Sequence, residues 1–161
     1  MMKLLMTATA LCVPAAALVA QAPTTAPGYV MMAGASDQYE RQSSRLVLET
    51  SANPKIKQFA TMMITDHNKS TADVTAAAKR SRVAPKPPKL DAQGARDVAA
   101  LRAARGTARD TLYVQQQKLA HQKALALHQG YSANGDAPAL KAVATSVVPV
   151  VQHHIEMLST M

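Results

Sequence analysis

Two proline signals and the residues between them constrain this chain more than any other feature. Asn53-Pro54 reads as a helix start: an N-cap residue is followed by the one position where the missing proline N–H costs nothing. Pro85, Pro87 and Pro88 forbid helix beyond about residue 82. Between them Ile56, Phe59, Ala60, Met63, His67, Ser70, Val74, Ala77 and Ala78 recur at alternating spacings of three and four. Six turns of stripe on one rod must be buried against other rods, so the pattern predicts a bundle.

The rest of the chain supplies those rods. Residues 28–51 read as a helix with Met32, Ala35, Tyr39, Leu46 and Val47 on one side and Arg41, Arg45 and Glu49 mostly elsewhere. Asp91 is placed to cap a short helix with Val98 and Leu101 inward, and Gly106 separates it from a longer helix over 107–131. Residues 130–138 (GYSANGDAP) read as a turn whose Asp136 caps the last helix. There Leu140, Val143, Ala144, Val147, Val151, His154 and Leu158 form the stripe, and Pro149 predicts a kink. Alanine abounds while aromatic residues make up only 3%, which favours close-packed helices over a sheet core. The expected fold is all-α: a ferritin-like four-helix bundle in one domain. About two dozen residues join its second and third long helices and carry a short extra helix. A connection of that length lets those two helices run parallel, as in one-crossover bundles; an up-down bundle with a small helix across one end competes.

Residues 1–20 stand apart from this domain. Lys3 precedes an apolar stretch from Leu4 to Val19, interrupted by Pro14 and closed by small residues, the pattern of a cleavable signal peptide. Cleavage is expected after Ala20, and the product is expected to be periplasmic or secreted. Residues 21–27 (QAPTTAP) then form a flexible linker to a domain spanning 28–161. No later segment is apolar enough to span a membrane. Cys12, the sole cysteine, leaves with the leader, so no thiolate remains for catalysis or metal binding. The formal net charge is +8, but the absence of aromatic platforms and the export signal argue against nucleic acid. Lys79, Arg80, Arg82, Lys86 and Lys89, extended by Arg102, Arg105 and Arg109, would instead suit an anionic envelope surface such as lipid or cell-wall polymer.

Polar residues on apolar stripes carry the chemical signal. Glu40, His67, His121 and His154 each lie on or near the buried face of a different long helix, and Asp66 flanks His67. A bundle core with a carboxylate and several imidazoles is how helical proteins hold one divalent transition metal, whether Zn, Cu, Fe or Mn. The competing reading has no metal, with each histidine satisfied by an ordinary core neighbour. Counting residues from the helix ends puts Glu40 and His67 within about 3 Å of one height. It separates His121 from His154 by roughly 10 Å unless the Pro149 kink absorbs the difference, so these two are not expected to share an ion. His128, near a helix C-terminus, suits a dipole-stabilised cation, and His153 faces solvent. Met62, Met63, Met157 and Met161 read as core filler. No nucleophile elbow, phosphate loop or H-E-x-x-H motif is present, so binding is expected rather than catalysis.

Several segments together resemble a bacterial family, domain of unknown function 4142. They are Ser36-Asp37-Gln38-Tyr39-Glu40 with Ser43-Ser44-Arg45-Leu46, Asn53-Pro54 through Phe59-Ala60 to Asp66-His67, Asp110 with Tyr113, His121 with Ala124-Leu125, Gly135-Asp136, Leu140-Lys141, and 149–154. The resemblance implies an exported ferritin-like bundle with Glu40, Asp66, His67, His121 and His154 as its polar positions, and it implies no activity. Dinuclear iron bundles use Glu-x-x-His, whereas Ile64 and Val151 stand at that spacing here, so a di-iron oxidase is disfavoured. Arg109 stands where a large aromatic is common in the family. Two roles remain. One is metal storage, buffering or stress protection through His67, Glu40 and His154, with His121 or Asp66 in support; the other is a metal-free envelope protein.

Overall fold

The computed structural model describes residues 22–161; the expected signal peptide lies outside the described residues. Five helices follow in order: α1 (Ala26–Thr50), α2 (Pro54–Arg80), α3 (Ala92–Ala103), α4 (Gly106–Asn134) and α5 (Pro138–Ser159). No strand occurs among the described residues. The start of α2 follows from its sequence, since the Asn53 side chain accepts from the Lys55 N–H and Pro54 fills the first turn. Asp91 caps α3 in the same way through the Gly94 N–H. Gly106 adopts φ +52°, a left-handed conformation that glycine enters freely, and so turns the chain from α3 into α4.

Short turns make α1–α2 and α4–α5 antiparallel hairpins. Side-chain pairs across them fix the remaining directions. Tyr29 meets His128, Ser43 meets Gln117, and Ser51 meets Asp110, so α1 and α4 are antiparallel. Asp66 meets His154, and Phe59 also packs on His154. The descending α2 therefore runs parallel to α4, and residues 81–105 cross the full height of the bundle, the first of the two topologies expected from the connection length. Pro88 of this crossover rests on α1 at Gly34, where an added Cβ would stand 3.5 Å from the proline ring.

Two apolar clusters fill the ends of the bundle. Tyr29, Val74, Leu127, Tyr131 and Leu140 anchor one; Val47, Phe59, Met63, Leu101, Tyr113 and Leu158 anchor the other. Between them lies a buried layer of Asp37, Glu40, Arg41, His67, Gln117, His121 and His154.

Several expectations give way here. In α1 the inward residue is Ala33, while Met32 is 43% exposed and Arg41 is buried. The middle of its inner face is polar, so apolarity alone picks the wrong phase. Helix α1 starts two residues before its expected position, and Thr24 accepts from the Asp136 N–H, which ties this part of the expected linker to the α4–α5 turn. Helix α4 continues three residues past its expected end. Tyr131 stays helical because its ring stacks on Tyr29 at 4.1 Å, and its hydroxyl donates to Asp136, which therefore does not cap α5. Pro149 sits inside α5, where the sequence places it, and Thr145, whose carbonyl it leaves unpaired, is exposed.

Arg109 leaves the basic surface, since its guanidinium is buried and donates to Thr50 Oγ1 and the Ala104 carbonyl. Arg105 folds back onto the last carbonyls of α3. Because the crossover spans the bundle, Lys79 to Arg82 and Arg102 to Arg105 lie at opposite ends and form no single patch.

Phe59 is fully buried against Tyr113 on one side and the rings of His121 and His154 on the other. Truncation in Phe59→Ala is expected to cost about 3–5 kcal/mol, read from urea unfolding monitored by far-ultraviolet circular dichroism.

Candidate metal centre

Each histidine of the middle layer is held by one ring nitrogen. His67 Nδ1 donates to Asp37 Oδ1 at 2.8 Å; His121 Nδ1 donates to the Gln117 carbonyl one turn earlier at 2.9 Å; His154 Nε2 donates to Asp66 Oδ2 at 3.0 Å. All three acceptors lack a proton to give, so they fix the tautomers. The remaining nitrogens, His67 Nε2, His121 Nε2 and His154 Nδ1, carry bare lone pairs whenever their rings are neutral.

These lone pairs converge. The three histidines each offer a nitrogen within 4.8 Å of the other two. His121 Nε2 and His154 Nδ1 face each other at 3.3 Å, too close for two acceptors to be at ease with nothing between them. His67 Nε2 is buried and has no partner. Two nitrogens bound at about 2.0–2.1 Å to one tetrahedral ion stand about 3.3 Å apart, so the spacing fits a shared cation. Oriented imidazoles with carboxylate or carbonyl acceptors on their far nitrogens are also the usual outer support of a metal site.

The electrostatics keep two of the rings ready. Burial, with the neighbouring His67 and His154, pushes His121 down to about 3. Burial, opposed by Asp66 and reinforced by His67, brings His154 down to about 4. Burial also works against the His67 cation, but Asp37 and Glu40 outweigh it and leave this group raised. Glu40 is raised to about 7, chiefly by burial, with His67 and Gln117 pulling it back. Its Oε1 lies 3.8 Å from His121 Nδ1, beyond hydrogen-bond range, and its Oε2 has no partner.

The sequence-derived residues thus divide. His67, His121 and His154 come together; Asp66 orients His154 from the half-exposed rim; Glu40 lies beside the triad without joining its converging nitrogens. The expected 10 Å offset of His121 from His154 is not found. Helix α4 ends at Asn134, so His121 is 13 residues from one end of the hairpin and His154 is 16 from the other; the axial offset falls to about 4.5 Å, which the side chains bridge. His128 is buried rather than a solvated cation. Its Nδ1 shares a 3.0 Å hydrogen bond with the Tyr29 hydroxyl, and burial lowers it to about 4. His153 is exposed, as expected.

Sequence reasoning missed Asp37 as the anchor of His67. The signal was available: Asp37 precedes Glu40 by three residues and shares its buried face. Arg41, which donates to the His67 carbonyl and to Thr71 Oγ1, gave no such signal, because charged residues are normally assigned to solvent.

The sequence matches the family model described as Domain of unknown function (DUF4142) over residues 12–161. The chain belongs to the DUF4142 family. A comparison with curated proteins finds no match. Among solved structures this DUF4142 chain is similar to CopM in the Cu(II)-bound form, with a TM-score of 0.72 and 16% identity over 84% of this chain and 94% of that one. It is also similar to CopM in the Ag-bound form, with a TM-score of 0.69 and 17% identity over 84% and 93%. At such identity the likeness establishes a shared helical fold. Among the described residues no helix is long and apolar enough to cross a membrane.

Depressed histidines make the metal-free protein acid-sensitive. Between the ordinary value of 6.5 and the folded value of about 4, unfolded His128 takes up a proton that the folded residue refuses. The contribution is complete above pH 6.5 and is lost as pH falls toward 4. Replacing His128 with Gln, which cannot charge, is expected to flatten the decline of melting temperature over that interval, measured by calorimetry at stepped pH.

Proposed function

We propose that this protein binds one transition-metal ion inside the bundle through His67, His121 and His154, and serves in metal storage, buffering or stress protection. The observation that carries the reading is the convergence of three imidazole nitrogens whose opposite nitrogens are all engaged. Copper is the favoured metal. Imidazole suits it, and similar folds occur in CopM bound to Cu(II) and Ag. The enclosure argues for holding rather than catalysis, since apolar clusters close the layer at both ends. Export of the chain through residues 1–20 would place this capacity in the periplasm or outside the cell.

Protein purified without an affinity tag, dialysed and exposed to Cu(II) or Zn(II), is expected to retain one ion per chain by elemental analysis. His121→Ala is expected to abolish retention. At metal concentrations a thousandfold above Kd, binding should add about 4 kcal/mol to stability. No retained ion and an unchanged melting temperature after offering Zn, Cu, Mn and Fe would overturn the reading.

A further inference from the structure

Glu40 carries a buried carboxyl oxygen with no hydrogen-bond partner. It is 1% exposed, its Oε2 lacks any hydrogen-bond partner, and its nearest cation-capable neighbour, His121 Nδ1, is 3.8 Å away and already committed to the Gln117 carbonyl. The other two acids around the triad are engaged. Asp37 accepts from His67 and from the Thr71 hydroxyl, and Asp66 accepts from His154. A buried carboxyl oxygen that meets no donor is costly for a core to hold, and beside the converging imidazoles it is placed to meet a cation.

Resting on the three-histidine reading above, we infer that Glu40 makes the site respond to the charge of its ion. A monovalent soft ion such as Ag(I) or Cu(I) is satisfied by the neutral imidazoles alone. A divalent ion such as Zn(II) or Cu(II) prefers a fourth donor and brings a second positive charge into a dry interior. Of the three nearby carboxylates, Glu40 alone is free to supply both without breaking an imidazole anchor. It stands on α1, the one long helix that contributes no histidine to the triad, so a divalent ion would be held from all four sides of the bundle.

The test compares wild type with Glu40→Gln, which keeps the shape and removes the charge. Affinities for Ag(I) and Zn(II) are measured by competition with chelators of known strength, and the melting temperature of the metal-free proteins is recorded alongside. The expected result is a loss of about 10–100-fold in Zn(II) affinity, with Ag(I) affinity kept within about threefold and the metal-free melting temperature equal or higher. Equal loss for both ions, no loss for either, or a wild type that takes Ag(I) but not Zn(II) overturns the role of Glu40 and leaves the histidine site standing. A wild type that binds neither ion overturns the histidine reading itself.

Discussion

Anchoring of each imidazole at its far nitrogen is the interaction on which the middle of this molecule depends. A polar layer between two apolar clusters survives only if its donors are met, and here Asp37, the Gln117 carbonyl and Asp66 meet them. Once those bonds form, the tautomers are set, and three lone pairs have nowhere to point except toward one another. The convergence is therefore a by-product of satisfying the N–H groups. Arg41 extends the same logic outward, tying the carbonyl of His67 and the hydroxyl of Thr71 to α1 and so holding the α1–α2 hairpin in register at this height.

The apolar ends do complementary work. Phe59 sits as a floor under two of the histidine rings, with centroids 6.2 and 6.3 Å away, while the Tyr29–Tyr131 stack closes the opposite cluster. Low polarity above and below strengthens any electrostatic contact in the layer and raises the penalty for leaving a charge there alone. The same burial that drives His121 and His154 down leaves them as free bases at neutral pH, the form a transition metal binds.

Much of this was legible in the sequence, and for identifiable reasons. The capped start at Asn53-Pro54, the stop at the proline cluster, and the regular stripes of α2 and α5 follow from backbone chemistry that tertiary context rarely overrides. The long crossover allowed α2 and α4 to run parallel without excluding an up-down bundle, and the side-chain pairs between α1 and α4 decide it. The stripe of α1 was misphased because Asp37, Glu40, Ser43 and Ser44 occupy its inner face, so a buried polar layer erased the hydrophobic signal by which helices are oriented. A three-residue error in the end of α4 accounts for nearly half of the offset expected between His121 and His154, since each residue of misjudged length moves a side chain about 1.5 Å along the axis, and side-chain reach covers the rest. That error came from reading Gly130-Tyr131 as turn chemistry, when Tyr131 is drawn into the helix by its stack on Tyr29.

The crossover has a bearing on how the protein matures. His67 belongs to the first hairpin, whereas His121 and His154 belong to the second, and residues 81–105 must traverse the bundle before the two halves can dock. No fragment emerging early from synthesis contains the triad. The three rings therefore meet only once the polypeptide is whole, so any ion they hold together can be taken up only by the complete chain.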